Sequence, residues 1–451
     1  MQKLLNLMPL ALLLALSASP AAALDFIVNN TADIPDANPG DGLCSPLNAV
    51  PGVCTLRAAI MEANANPGEH QILLATGTYT LSNTGAGEDA ALTGDLDILR
   101  TIRIFNGTDN RPVINGAYAD RVFDIHPTGR LVLENIDVVA GSANVPGTTN
   151  GGAFNVRANI NDEGSLVLSR SNVSANIANI GGAIYSDGSV LVTESEFFFN
   201  AITDEHVAPQ FADGAAILSR GYLWIGTSTF RSNGVIPGGE GAFLPNEYAV
   251  HAKTGFNETA DVSVRITRST FYDNTNGIFI DGKKTRLEFL TIVNNNQRGL
   301  RFLRNIDRLG ELQLWIDNTV IYGHTGDCNG LPTADPEFDV AFNVNASSDE
   351  TCGFTGFNSF QNIEMPFRDE PGDFGGLTTT FMPLPDSVLI DGVGTGNVCF
   401  LFSADQRGQP RPIDGDNDGV ELCDIGSVEF NPAFDAPPPL VDEIFRDRFE
   451  Q

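Results

Sequence analysis

Positive charge is scarce in this sequence. Its 451 residues carry 26 Lys and Arg against 57 Asp and Glu, a formal charge of −31. A surface of that sign disfavours nucleic acid and anionic lipid as partners, because both repel it. Histidine is equally thin: five residues scattered along the chain, each reading as an ordinary surface or turn residue rather than a metal ligand. There is no CxxC or His-spaced cysteine pattern, which leaves zinc without a ligand set. No apolar run beyond the N-terminal one is long enough to cross a bilayer as a helix, so no transmembrane segment is expected. Helical periodicity is also missing from the middle of the chain. A two-residue alternation stands there instead, as in Val190–Val192 and Val264–Ile266.

What is present begins with an export signal. Lys3 supplies a basic start, Leu4 to Leu16 an apolar run, and Ala21 and Ala23 the small residues of a cleavage site, so residues 1–23 are expected to be a signal peptide. The mature chain is then secreted. Its cysteines are even in number, as a disulfide framework requires. Of the fifteen pairings open to six cysteines, the short-range couples Cys44–Cys54, Cys328–Cys352 and Cys399–Cys423 are favoured, each stapling a loop outside the repeats.

The repeats emerge when the alternating runs are aligned on their last inward apolar residue. Leu168 is followed five places on by Val173 and eight places on by Asn176. Val192, Phe197 and Asn200 keep the same offsets, as do Ile225, Phe230 and Asn233, then Ile266, Phe271 and Asn274, then Leu287, Ile292 and Asn295. Leu133 with Val138, and Ile316 with Ile321, keep the apolar pair but reach Gly141 and His324. Fixed offsets with variable gaps describe a short strand, a tight corner and a second short strand. Such a unit hides its apolar side only by stacking on copies of itself. The expected fold is all-β: a single-stranded right-handed parallel β-helix, pectin-lyase-like, with Asn at one corner forming a ladder of amide hydrogen bonds. Gly151–Gly152, Gly181–Gly182 and Gly214 suit another corner, where positive φ or close approach is needed.

The motifs "GGAI" (181–184), "FFFN" (197–200), "FRSN" (230–233) and "FYDN" (271–274) resemble the GGA(I/L/V) and FxxN repeats of chlamydial polymorphic outer-membrane proteins. The resemblance implies a β-helical, adhesive passenger region; the translocating barrel of that family has no counterpart here. "CTLRAAI" (54–60), behind "DGLC", resembles the CSLREAI motif of secreted bacterial β-helix proteins, with Thr55 and Ala58 as departures. Thr55 is suited to N-cap a short helix with Leu56, Ala59, Ile60 and Ala63 on one face, an N-terminal α-helical cap over the open end of the β-helix. Arg57 then reads as a buttress pinning that cap rather than as a catalytic base. Residues 383–430 resemble the choice-of-anchor Q module that often ends those proteins, and "IFRDRFE" resembles the IFxDGFE endings of exported proteobacterial proteins, which implies a Gram-negative cell surface. The expected divisions are 1–23 signal peptide, 24–100 cap and first coils, 101–330 repeats, 331–430 last coils and anchor-like module, and 431–451 Pro-rich linker and tail.

Two features bear on chemistry. "DGDNDG" sets Asp414, Asp416 and Asp418 at alternate positions with Gly419 sixth, the first half of a calcium loop. Ile425 stands at the twelfth place, so Asp424 or Glu421 would have to complete it; the alternatives are structural calcium or a solvated acidic turn. Nine basic residues crowd one region: Arg265, Arg268, Lys283, Lys284, Arg286, Arg298, Arg301, Arg304 and Arg308. On stacked coils they are expected to line a stripe for an acidic polysaccharide or cell-surface polymer, since guanidinium forks match carboxylate and sulfate; the plainer reading is loop residues paired with acids. The neighbouring "NEYAVHAKTGFNETA" (246–260) reads as a long loop.

The leading functional expectation is a secreted or cell-surface binding protein, an adhesin or acidic-polysaccharide binder. The alternatives are a polysaccharide lyase or glycoside hydrolase working in the β-helix groove, and a structural exoprotein without a specific ligand. Neither the lyase nor the hydrolase signature is readable; "YGHTGD" (322–327) is similar to the hydrolase Gly-His-Gly segment but lacks its second Gly. Carboxylates converging with Arg or Lys in a groove would favour an enzyme, and an aromatic-lined surface a binder.

Overall fold

The computed structural model describes residues 23–435, apart from 49, 86, 145–148, 204–212, 235–246, 254–263, 283, 304–312, 332–338, 355–358, 369, 395–398 and 400–401. The expected signal peptide and tail therefore lie outside the described residues, except for Ala23 and 431–435. The chain winds through three parallel sheets of eleven, nine and ten strands, with a further three-stranded ladder. Successive turns of chain add one strand to each sheet in order, the arrangement of a parallel β-helix. Among the described residues no helix is long and apolar enough to cross a membrane.

The fixed offsets in the sequence become exact register. In the first sheet Leu133, Leu168, Val192, Ile225, Ile266, Leu287 and Ile316 are paired in succession. Five residues on, Val138, Val173, Phe197, Phe230, Phe271, Ile292 and Ile321 are paired in the third sheet. All are fully buried. Alternation puts these side chains inward, and a slip of one residue would turn the whole set to water, so burial locks the register. The rings of Phe197 and Phe230 stack at 4.7 Å and those of Phe230 and Phe271 at 4.8 Å, which adds about 1 kcal/mol per pair beyond burial.

The corner between these two strands is made by one residue in the left-handed region: Arg170, Glu194, Thr227, Arg268, Phe289 and Asn318, all with φ between 46° and 56°. Each such non-glycine residue costs roughly 1–2 kcal/mol, which the stacking on either side offsets. At the other corner Gly181 has φ 62°, and a Cβ on Gly182 would lie 2.1 Å from the Ala215 carbonyl oxygen, so both roles expected of the glycine pair are used.

The Asn ladder forms. Asn176 Nδ2 donates to Asn200 Oδ1 at 2.9 Å, Asn200 to Asn233 at 3.0 Å, Asn233 to Asn274 at 2.9 Å and Asn274 to Asn295 at 2.8 Å. His324 takes the last place, 3.1 Å from Asn295, and the Gly141 N–H donates to Asn176 at the other end. A buried amide stays satisfied only while its neighbours keep the chain of bonds, so the ladder is cooperative.

Thr55 caps the helix Leu56–Ala65, which packs on strands Asp25–Val28, Glu69–Leu74 and Leu96–Ile98. Strand Asp25–Val28, preceding the helix, was not expected; it pairs with Glu69–Leu74 and forms the outermost strand of the first sheet. The expected loop at 246–260 is corrected in part. Tyr248–Lys253 is a strand of the second sheet, with Val250 and Ala252 inward and His251 facing out, an alternation too short to stand out beside its polar neighbours. The disulfide pairs Cys44–Cys54, Cys328–Cys352 and Cys399–Cys423 are those expected, but Cys328 lies in strand Gly326–Asn329 of the second sheet, beside Leu300, and not in a loop outside the stack.

Candidate functional site

Outward positions of the first sheet form rows running along the helix axis, because parallel in-register strands place equivalent residues about 4.8 Å apart. One row reads Arg103, Val132, Val167, Leu191, Trp224, Arg265, Arg286, Trp315, each in register with the next. All eight are partly exposed. Arg265 Nη2 lies 2.9 Å from Glu288, and Arg286 Nη1 lies 3.9 Å from the same carboxylate. Glu288 is buried and accepts a hydrogen bond from Arg265 Nε at 3.0 Å, whereas its contact with Arg286 is a longer ion pair. Arg286 also sits 4.6 Å from the centre of the Trp315 ring, a cation–π contact that fixes both side chains. Beside this row burial pushes the Asp317 carboxyl up to about 6; the Asn343 amide that hydrogen-bonds it and the Arg286 charge act against the rise, and Glu288 adds to it.

The nine basic residues are thus divided. Arg265 and Arg286 stand together on the first sheet. Arg268 is at the adjoining corner, 4.6 Å over the Phe402 ring and donating to the Ala404 carbonyl, and Lys284 directly precedes strand Thr285–Glu288. Arg298 and Arg301 belong to a strand of the second sheet, where Arg301 covers the Phe279 ring at 4.4 Å. Lys283, Arg304 and Arg308 lie outside the described residues.

The second sheet carries a cluster that sequence reading missed. A cavity of about 400 Å³ is lined by Glu88, Asp89, Asp95, Arg121, Asp124, Asn155 and Arg157, among others. Asp97 and Asp124 are register neighbours on adjacent coils, and His126 Nε2 lies 3.0 Å from Asp97. Arg121 Nη2 donates to Asp95 and to Asp124, at 2.8 Å each, and Arg157 pairs with Asp124 and Asp89. Burial drives the Asp95 carboxyl up to about 7; Arg121 opposes this, while Asp97, Asp120 and Asp124 reinforce it. One nitrogen of Arg121 fills the space between Asp95 and Asp124, so no glycosidic oxygen can sit between these two carboxylates. Arg121 and Arg157 hold Asp95, Asp124 and Asp89, while Asp89, Asp97, Asp124 and His126 bring carboxylate and imidazole atoms within 4.8 Å of one another. The only signal in the sequence was the alternation of Asp95, Asp97 and, on the next coil, Asp124 and His126, which carries no partner information by itself.

The histidines, read as surface or turn residues, are in part buried. His251 is buried, pairs through Nδ1 with Asp213 and stacks on Phe279 at 4.0 Å. His324, the centre of the hydrolase-like segment, is enclosed, bonded to Asp327 at 2.9 Å and to the Asn ladder, so it faces no groove.

In the C-terminal loop Asp391, Asp414 and Asp416 bring carboxylate oxygens within 4.8 Å of one another. Asp418 is outside that group; its N–H donates to Asp414 and Asp416. Asp424 is unavailable to complete a calcium set, being buried and bonded to the backbone of Asp391 and Phe430. No protein-family model matches this chain, and neither a curated protein nor a solved structure is similar enough to count as a relative.

Proposed function

We propose that this protein is an exported right-handed parallel β-helix that binds an extended acidic polymer outside the cell, as an adhesive or retention protein of a Gram-negative surface. The observation that carries this is the register pairing of Arg265 with Arg286 on an outer sheet face, Arg265 held by the buried Glu288 and Arg286 by the Trp315 ring. Preset forks bind carboxylate or sulfate at less entropic cost than mobile side chains. Right-handedness is supported by the near-universal hand of parallel crossovers. The Lys3 to Ala23 pattern and three disulfides support export. A cap role for helix Leu56–Ala65 is supported by its packing beside the outermost strand of the first sheet. The resemblances at the two ends support the surface assignment.

The enzyme reading is weaker because in the acidic cavity of the second sheet a guanidinium stands between Asp95 and Asp124. Passage over immobilised acidic polymers tests the proposal. Wild type is retained at low salt, and the double variant R265E/R286E flows through with its fold intact by circular dichroism. Equal behaviour of the two overturns it. Release of unsaturated or reducing ends by wild type replaces it with the lyase or hydrolase alternative. The cofactor proposal narrows to structural calcium on Asp391, Asp414 and Asp416, tested by whether calcium raises Tm in wild type and not in D391N.

A further inference from the structure

The two tryptophans are the sequence's full complement, and both stand on the row that carries the arginine pair. Trp224, Arg265, Arg286 and Trp315 occupy four consecutive coils, so the indoles are about 14 Å apart with two guanidiniums between them. Val132, Val167 and Leu191 extend the same row as a partly exposed apolar strip. We infer that the ligand of this row is an acidic polysaccharide lying along the helix axis, its sugar rings against Trp224 and Trp315 and its acidic groups on Arg265 and Arg286. This rests on the binding reading above and adds the chemistry of the ligand to it.

Three features select a saccharide among polyanions. An indole face is electron-rich, and the C–H bonds on one face of a pyranose carry the complementary positive edge. A polypeptide or inorganic polyanion would use the guanidiniums and leave the indoles and the aliphatic strip without a role. Single-stranded nucleic acid also stacks on aromatics, but its closely spaced phosphates call for a continuous basic groove. Here both guanidiniums share the buried Glu288, and the sequence as a whole carries a formal charge of −31. Sparse acidic groups separated by stackable, partly apolar rings fit the row better. Spacing along the axis also suits a linear chain, since every coil presents one contact at the same repeat.

With both tryptophans on the row, intrinsic fluorescence reads the site directly. The full-length mature protein is titrated with polygalacturonate or alginate, neutral dextran, poly-glutamate and a single-stranded oligonucleotide. The expected result is an emission shift with an acidic polysaccharide only, with affinity falling about tenfold in W224A and W315A and further in R265E/R286E. W224F, which keeps an aromatic face, should retain most of the affinity and controls for folding, read by an unchanged Tm. Poly-glutamate bound as tightly by W224A as by wild type would leave the binding reading standing and overturn the saccharide inference. Preference for the oligonucleotide would overturn it as well. Absence of binding to every polyanion would overturn the binding reading itself.

Discussion

Gln406 and Thr229 are 177 residues apart in sequence and 2.9 Å apart in space, the Gln406 amide donating to the Thr229 hydroxyl. The same amide accepts from Thr270 at 2.6 Å and donates to Thr378 at 2.9 Å. One coil further, Thr291 meets Ser427 at 3.0 Å. Thr229, Thr270 and Thr291 are register neighbours, so the C-terminal module is fastened along a threonine row on the outer face of the third sheet. Tyr272 against Phe381 and Phe289 against Phe402 supply the apolar part of that joint.

Gln406→Ala should strip partners from several buried hydroxyls at once, at a cost of about 2–3 kcal/mol. The aromatic contacts keep the module docked, so the expected effect is local. Hydrogen exchange at Thr378, Thr380 and Ser427 should quicken while the Asn ladder stays protected. Unaltered exchange at those amides would show that the polar joint contributes nothing.

The middle of the ladder is the place to test its cooperativity. Asn233 donates to Asn274 and to the Phe197 carbonyl, and its oxygen accepts from the backbone and side chain of Asn200. Asn233→Ala leaves these buried groups unmet and should lower stability by about 2–4 kcal/mol, read as a lower urea midpoint. A shift under half a kcal/mol would mean that water or a backbone adjustment replaces the amide.

Arg57 is fully buried and forks onto Asp33 while donating to the carbonyls of Ala91, Gly94 and Asp95. These contacts tie the helix Leu56–Ala65 to Asp33 and to the backbone of Ala91, Gly94 and Asp95. Arg57→Lys keeps the charge but cannot reach five acceptors, and a loss of about 3–5 kcal/mol is expected, seen as a fall in Tm. Retention of wild-type Tm would mean that the charge alone pins the helix.

Asp317 gives a pH dependence with a definite sign. Its folded pKa, about 6, lies above the ordinary 3.8, so the folded state holds the proton more tightly than the unfolded chain does. Its contribution is therefore complete below pH 4 and lost as pH rises through 6, by at most about 3 kcal/mol. Asp317→Asn should raise Tm at pH 8 relative to wild type and shift it little at pH 4. A variant equally shifted at both pH values would refute burial of charge as the cause.

Much of this architecture was legible beforehand. The period of two told inward from outward, and the constant spacing of Leu168 to Val173 and Val192 to Phe197 told which strands share a layer. Asn at a constant eighth place foretold the ladder because a buried amide needs an equivalent amide above and below it. What escaped is of another kind. Tyr248–Lys253 reads as loop in the sequence, since a single His and Lys among small residues mask a short alternation. The Asp95–Arg121–Asp124 triad joins residues from different coils, and nothing local marks them as partners.

Composition and spacing by themselves determined the stacked coil, its interior columns and its corners, because hiding apolar side chains from water imposes a repeat that can be counted along the chain. Outward residues of the aligned strands follow the same count, Trp224, Arg265, Arg286 and Trp315 each standing one place before Ile225, Ile266, Leu287 and Ile316. Residues on the loops and on the second sheet escape it, because each loop consumes a different number of residues before the next strand begins. Only the folded molecule could send Arg301 to another face and lay the C-terminal module across the threonine row.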